Sequence, residues 1–502
     1  MSADVLQAFS NMMDIRLILL IFLGVAIGIV FGSIPGLTAT MAIVMFLPMT
    51  YTMTPLYGIS MLVALYIGGI SGGLISAILL NIPGTPSSIA TTLDGAPMAK
   101  KGEGGKALGT GIFFSFIGTL VGVAVLVILA PLLAKVAIKF GAYEYCALAV
   151  FSFSLVIALT GKDMVKGLMS VVIGAMFATV GLSPMDSISR FTFNNVNLTA
   201  GFKLLVFLIG LFAITEVLKF AEDVRKDIRF EIKDDVKIRG LGFSVKEMTG
   251  QLGNALRSAL IGLGIGILPG IGGSVSGMLA YTVAKNSSKY PEKFGTGIMD
   301  GVVASETANN ATIGGAMIPL LSLGIPGDGT TAVLLGALMV HNVAPGPLIF
   351  TKNGVTVYGV FIAMVIASAA MLVLEFLGLN IFVKILKIPK NYLFPIIVVL
   401  CAVGAIGDSN RVFDVWGILL FGLVGYALSK AGFSLIPMIL GFILGPTLEL
   451  NLRKASSLVQ YDALSILQHP IAIAFLAVTV ITVILNIRAN LRQADSILVQ
   501  EE

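Results

Sequence analysis

The sequence predicts an all-α polytopic membrane protein of roughly a dozen membrane elements, arranged as two inverted repeats with broken or re-entrant helices. Three observations lead there. Of the 502 residues, 57% are hydrophobic and only 12% charged, about half the charge of an ordinary soluble domain, and the mean hydropathy is +0.98. The run between Arg16 and Asp94 holds no Asp, Glu, Lys or Arg, and its length far exceeds the ~20 apolar residues one helical crossing needs. Gly/Pro interruptions in that run recur, in the same order, in the second half of the chain.

Taken in order, a first helix covers residues 15–32 and stops at Pro35-Gly36. The N-terminus, with Asp4 and Asp14 ahead of Arg16, lacks the basic start of a cleavable signal peptide, so this helix is expected to remain as an anchor. A half-length apolar piece runs to Pro48. Tyr57–Leu80 follows, loosened by Gly68-Gly69 and Gly72-Gly73, and the chain breaks again at Asn81-Ile82-Pro83-Gly84-Thr85-Pro86-Ser87-Ser88. Asp94 is read as opening a Gly-Pro turn beside Lys100 and Lys101, with a structural or gating salt bridge as its use. Further apolar segments are expected near 107–133, 143–160, 164–182 and 201–220.

Charge crowds between Lys219 and Arg239, which divides the chain into a first membrane repeat (1–222), a charged connecting loop (223–250, read as cytoplasmic from its Lys and Arg) and a second membrane repeat (251–502). In the second repeat, an amphipathic lead-in around Lys246–Arg257 precedes an apolar stretch broken at Pro269-Gly270. Then come Gly301–Ser322, a break at Gly324-Ile325-Pro326-Gly327-Asp328-Gly329-Thr330-Thr331, a short piece to His341, and segments near 354–379, 391–407, 412–429, 432–448 and 470–487.

The halves match closely. Ile34-Pro35-Gly36-Leu37 answers to Leu268-Pro269-Gly270-Ile271, and Gly72-Gly73 followed by Ile82-Pro83-Gly84 answers to Gly314-Gly315 followed by Ile325-Pro326-Gly327. Ser87-Ser88 and Thr330-Thr331 stand four residues beyond Pro83 and Pro326. Gly and Pro are common in membrane helices, so one such match would be coincidence; two in the same order with matching hydroxyls define a repeat. Interrupted segments at corresponding positions of two halves mark a transporter's binding site. A helix ending at mid-membrane frees N–H groups that suit a carboxylate and C=O groups that suit a small cation. The expected substrate site is therefore Pro35, Gly36, Asn81, Pro83, Gly84, Thr85, Ser87, Ser88, Pro269, Gly270, Pro326, Gly327, Thr330 and Thr331. Asn81, Glu306, Asn309 and Asn310 are the expected cation ligands, Glu306 because an acid inside an apolar segment is a functional candidate, with a cap or interfacial role as the alternative.

The remaining singular residues carry structural readings. Glu144, Glu216 and Glu375 are assigned to helix-end anchoring or contact with a partner subunit, His341 to packing, and Trp416 to an interfacial anchor. Cys146 and Cys401 sit in apolar segments and form no disulfide framework. The net charge of +5 reads as topology information, and no nucleic acid is expected as a partner. Two His and two Cys supply thiol or transition-metal chemistry poorly, no phosphate-binding loop is present, and no cofactor is expected. An intramembrane aspartyl protease would use paired acids such as Asp462 and Asp328, but Asp462 lies in a polar connection. A passive channel is the other competing class.

Gly32-Ser33-Ile34-Pro35-Gly36-Leu37, the stretches 81–88 and 93–102, Gly210–Ile214, Gly266–Gly273, Glu306–Ala311 and Gly324–Thr331 together resemble the large membrane subunit of tripartite tricarboxylate transporters, the TctA type. The resemblance covers nearly the whole chain. It implies a multi-pass permease of the bacterial inner membrane that works with a small membrane subunit and a periplasmic solute-binding protein. It further implies import of a carboxylate, citrate-like, coupled to a cation gradient (Na+ or H+) and not to ATP.

Overall fold

Apolar runs punctuated by Pro-Gly fold here as helices that stop and restart. The computed structural model describes residues 2–159, 164–223, 242–385, 390–409, 411–459 and 465–501. Most of the charged connection (224–241) and the Tyr461-Asp462 pair lie outside them.

The first half opens with α1 (Ser2–Met12) and α2 (Ile15–Ser33), the latter capped by Asp14, which accepts the Arg16 N–H. After the Pro35-Gly36 break come α3 (Ala39–Phe46), a short 3-10 turn (Leu47–Thr50), and α4 (Pro55–Leu80). Beyond the second break stand α5 (Ile89–Met98) and α6 (Gly104–Ala137). α7 (Ala142–Leu159) and α8 (Met164–Ala178) lead to a two-residue antiparallel hairpin, Gly181–Leu182 with Ser189–Arg190. The half closes with α9 (Val196–Thr199), α10 (Leu204–Leu208), a π-type turn (Ile209–Ile214) and α11 (Thr215–Asp223).

The second half opens with the same alternation of helix, Pro-Gly break and helix. α12 (Val245–Ile267), started by a Ser244–Glu247 capping box, breaks at Pro269-Gly270 into α13 (Gly272–Ser287). α14 (Met299–Leu323) breaks at Pro326-Gly327 into α15 (Gly329–Val340). α16 (Ile349–Lys352), α17 (Gly354–Ile385), α18 (Lys390–Ser409), α19 (Val412–Lys430), α20 (Leu435–Val459) and α21 (Pro470–Glu501) complete the chain. Among the described residues, seven helices are long and apolar enough to cross a membrane, and shorter apolar helices such as Ala39–Thr50 and Gly329–Val340 accompany them. The protein is multi-pass and helical, as its sequence predicts. One local expectation is corrected: Asp94 does not open a turn. α5 stays helical through Gly95, Ala96 and Pro97, because Pro97 removes only one backbone bond, the one back to Leu93, and the reversal comes later, at Gly102 (φ 86°).

Small residues set the helix directions by letting backbones touch. α2 and α4 run parallel, with Gly28 against Leu65 and Gly69, and Gly72 against Ile29. α3 folds back along α4, starting at Gly69 (Ala39) and ending at Gly58 (Thr50). α6 then runs antiparallel to α4, with Gly104 near Leu79 and Gly111 near Leu74. The second half is built alike: α12 runs parallel to α14 (Gly262 on Ala308, Gly266 on Thr312), and α13 folds back along it. The halves then interlock. α6 lies parallel to α14, with Gly118 on Thr307 and Gly122 on Ala311, while α17 lies parallel to α4, with Gly359 on Leu56.

Candidate functional site

Each break leaves helix N-terminal N–H groups inside the protein, and side chains or neighbours deal with the strain. Asn81 ends α4 in the left-handed conformation (φ 56°), and Gly324 does the same for α14 (φ 73°). Two residues past each Pro sits the next cap. Thr85 and Ser88 form a reciprocal capping box ahead of α5. Asp328 and Thr331 form one ahead of α15, with Thr331 N–H to Asp328 Oδ1 at 2.7 Å and Asp328 N–H to Thr331 Oγ1 at 2.8 Å. Gly84 packs on the carbonyl of Gly32, and Gly327 packs on the carbonyl of Gly266. Nothing larger than Gly fits either approach. In the second half the two breaks are joined outright, Gly270 N–H donating to Gly327 O at 2.8 Å.

The half-helices pair across the halves. α3 packs on α15 and α13 packs on α5. Thr40 Oγ1 and Thr330 Oγ1 are 2.8 Å apart at the start of the first pair, and Thr50 Oγ1 meets His341 Nε2 at 2.9 Å at its far end. In the second pair, Ser87 and the Oδ1 of Asn309 both crowd Gly273 at the start. At the far end Asp94, fully buried, accepts the N–H groups of Gly295 (2.9 Å), Gly297 (2.7 Å) and Ile298 (3.0 Å) through Oδ1 and the Tyr281 hydroxyl (2.9 Å) through Oδ2. The Asp94 carboxylate is thus consumed by the opposite half, not by Lys100 or Lys101.

Beside the second pair lies a polar cluster between α5, α6 and α14. Glu306 is fully buried. It accepts from the Thr91 hydroxyl and from Ser115 Oγ at 3.1 Å. Asn310 Nδ2 donates to Ser115 Oγ (2.8 Å) and to the Glu306 carbonyl (3.0 Å). Asn309, 1% exposed, has no hydrogen-bond partner for either amide atom among the described residues, and Asn310 Oδ1 also lacks one. Orphaned buried amides call for a ligand or water. A carboxylate with convergent amide and hydroxyl oxygens is the donor set of a hard cation.

Several predicted residues meet as pairs: Thr330 with Thr40, Ser87 with Thr85 (2.9 Å), and Glu306 with Asn310. Ser88, Thr85 and Thr331 are occupied by caps. Gly36 is exposed at its break (φ 90°), with Pro35, Pro83 and Gly270 part-buried and Pro269 and Pro326 buried. Asn81 is exposed, and its left-handed backbone gives it a structural use. Asp328, which could have repelled an anion, is turned into the α15 cap and takes the Tyr66 hydroxyl at 2.6 Å.

Glu144 anchors a helix start through the Gly141 N–H (2.8 Å) and His469 (2.7 Å), and Glu216 pairs with Lys219. Glu375 departs from its assignment to a helix end or subunit contact. It is 0% exposed, in the middle of α17, and accepts from Ser71 Oγ at 2.9 Å. Sequence reading also passed over Thr40, Tyr66, Thr91 and Ser115. Thr40 alone carried a signal, standing four residues past Gly36 as Ser274 stands past Gly270.

The chain is 36% identical over 482 residues to an "Uncharacterized 52.8 kDa protein in TAR-I ttuC' 3'region" of Agrobacterium vitis, covering 96% of this chain and 95% of that one. It is also 36% identical over 239 residues to an "Uncharacterized protein in TAR-II ttuC' 3'region" of the same organism, 47% of this chain and 99% of that one. No solved structure matches it. The model of the tripartite tricarboxylate transporter TctA family matches residues 18–440, and with the matching broken-helix motifs this settles the assignment: the chain belongs to the TctA family of tripartite tricarboxylate transporters.

Proposed function

We propose that this chain is the large permease subunit of a binding-protein-dependent secondary transporter. It imports a citrate-like tricarboxylate or dicarboxylate by symport with a cation, Na+ or H+, through alternating access. The single observation that carries this reading is the exchange of half-helices between the halves, α3 with α15 and α13 with α5, which directs helix N-termini at one central region. The positive dipole ends there, above all the start of α13, which has no side-chain cap, suit carboxylates without a fixed charge in the bilayer. Thr40, Thr330 and Ser87 add neutral donors, and the Glu306, Asn309 and Asn310 cluster takes the cation. Because α6 runs antiparallel to α4 and parallel to α14, the halves are read as inverted repeats, the architecture of alternating access around a fixed midplane site.

Sidedness follows from charge. The turn carrying Lys100, Lys101 and Lys106 packs with the segment that follows Lys285, Lys289 and Lys293, Gly297 resting on Pro97. That lysine-rich face is cytoplasmic, in the bacterial inner membrane. The Thr50–His341 end then faces the periplasm, where a solute-binding protein delivers substrate, and a small membrane subunit completes the complex.

Purified complex in liposomes, loaded through its solute-binding protein with labelled citrate, tests this. Saturable uptake that needs an imposed Na+ or pH gradient supports the symporter. Flux that ignores the gradient means a channel.

A further inference from the structure

Glu306 is not the only carboxylate sealed into the membrane core. We propose that Glu375, with Ser71, forms a second coupling site that exchanges a proton during transport; this rests on the symporter reading above. The two sites are related by the fold. Two of the parallel helix pairs that join the halves each hold a buried Ser–Glu hydrogen bond: Ser115 on α6 with Glu306 on α14 (3.1 Å), and Ser71 on α4 with Glu375 on α17 (2.9 Å). In both pairs the serine lies in the first half and the acid in the second.

Glu375 is fully buried, and its second oxygen, Oε1, has no hydrogen-bond partner among the described residues. No sequence reason of packing asks for an acid there, and an acid inside a membrane helix marks a proton or ion path. The donor set chooses the ion. Glu306 has hydroxyls and amide oxygens around it, whereas Glu375 has Ser71 alone, and a hard metal cation needs several oxygens. A proton needs only the carboxyl.

Among the described residues, the cations on the elements packed against α17 stand away from Glu375, near helix ends. α17 packs against α1, α2, α4, α6 and α16. On these elements Asp4, Arg16, Tyr57, Lys106, Lys135 and Lys352 stand near helix ends, and Tyr66 is turned to Asp328. On α17 itself, Tyr358 and Lys384 lie near its two ends. Glu306, on α14, is the acid of the other Ser–Glu pair. Ser71 directly precedes Gly72-Gly73, and Gly73 abuts the Thr85 and Ser88 hydroxyls of the first-half break. A change in the Glu375–Ser71 bond is therefore delivered straight to the cap of α5.

The test uses infrared difference spectroscopy of the purified protein in lipid across a pH step, with and without deuterium exchange. Wild type should show a deuterium-sensitive carboxylic-acid band that disappears in Glu375→Gln and moves its midpoint in Ser71→Ala. In liposomes with the partner subunits, Glu375→Gln should lose the pH-gradient dependence of uptake while keeping substrate binding. A band unchanged in both variants, or uptake in Glu375→Gln with the wild-type pH profile, overturns the proposal. If Glu375→Gln fails to fold, the midpoint in Ser71→Ala decides alone. Absence of any gradient-driven uptake in wild type would instead overturn the symporter reading, leaving the infrared result to judge Glu375 separately.

Discussion

Thr40 Oγ1 and Thr330 Oγ1 share a buried 2.8 Å hydrogen bond across 290 residues of sequence. It ties α3, the half-helix after the Pro35-Gly36 break, to α15, the half-helix after the Pro326-Gly327 break. Replacing both by Val removes the bond without leaving an unsatisfied partner, whereas replacing one strands a hydroxyl. A double-mutant cycle on detergent-phase unfolding is expected to give a coupling of about 0.5–1.5 kcal/mol between Thr40→Val and Thr330→Val. Strict additivity would mean that the two half-helices do not meet.

Asp94 holds the other pair at its far end. Its Oδ1 takes three backbone N–H groups and its Oδ2 one phenol. Asp94→Ala takes away the buried acceptor that these part-exposed backbone donors and the Tyr281 phenol share, and is expected to cost about 2–3 kcal/mol, against ~1 kcal/mol for Tyr281→Phe. Thermal melts of the solubilised protein measure both. Lys100→Ala and Lys101→Ala, by contrast, should leave the melt unchanged, since neither supplies Asp94's hydrogen bonds.

Gly84 and Gly327 make equivalent contacts in the two halves, on Gly32 and Gly266. A methyl group at either site collides with backbone that has nowhere to go, at a cost of about 1–3 kcal/mol from overpacking. Gly84→Ala and Gly327→Ala should each lower the yield of folded protein and the uptake rate. Gly250→Ala and Gly264→Ala, where a methyl meets open space, should match or exceed wild type, because Ala is the better helix former.

Most of the architecture was legible because bilayer physics leaves few choices. Backbone in lipid must satisfy its own hydrogen bonds, and apolar runs this long do so as helices, so the runs gave the helices and the Pro-Gly pairs gave their breaks. The matching breaks were legible in the spacing of their Pro-Gly pairs and hydroxyls, and the structure adds what that spacing did not show: Thr85 and Asp328 cap the helices that follow, and Asn81 and Gly324 end the helices before. What sequence did not reveal is partnership. The Thr91, Ser115 and Ser71 hydroxyls look like any serine or threonine in an apolar helix, and only the crossing of α6 with α14 and of α17 with α4 brings them to Glu306 and Glu375. Glu375 was misplaced for the same reason, since its helix reads as peripheral until α4 is seen packed along it. Asp94 looked like a turn residue because Gly95 and Pro97 follow it, although Pro is tolerated near a helix end.

Glu306 and its orphaned neighbours predict a specific loss. Glu306→Gln keeps the shape but removes the charge that balances a cation, so uptake should lose its dependence on Na+ concentration or on the pH gradient. Asn309→Ala should weaken cation affinity while the Thr91 and Ser115 bonds to Glu306 persist. Titrating uptake against the coupling ion separates the two. Unaltered cation dependence in Glu306→Gln would remove this cluster from the coupling mechanism.

The central claim is that carboxylates sit between the exchanged half-helices. The most direct measurement is the KM of gradient-driven citrate uptake by the reconstituted complex carrying Ser87→Ala, Thr330→Ala or both. Each loses one neutral hydrogen-bond donor to the substrate, so KM should rise severalfold in each single variant and further in the double, about tenfold per ~1.4 kcal/mol, with folded yield preserved. A double variant that transports with the wild-type KM and the wild-type cation dependence would place the substrate elsewhere in the protein.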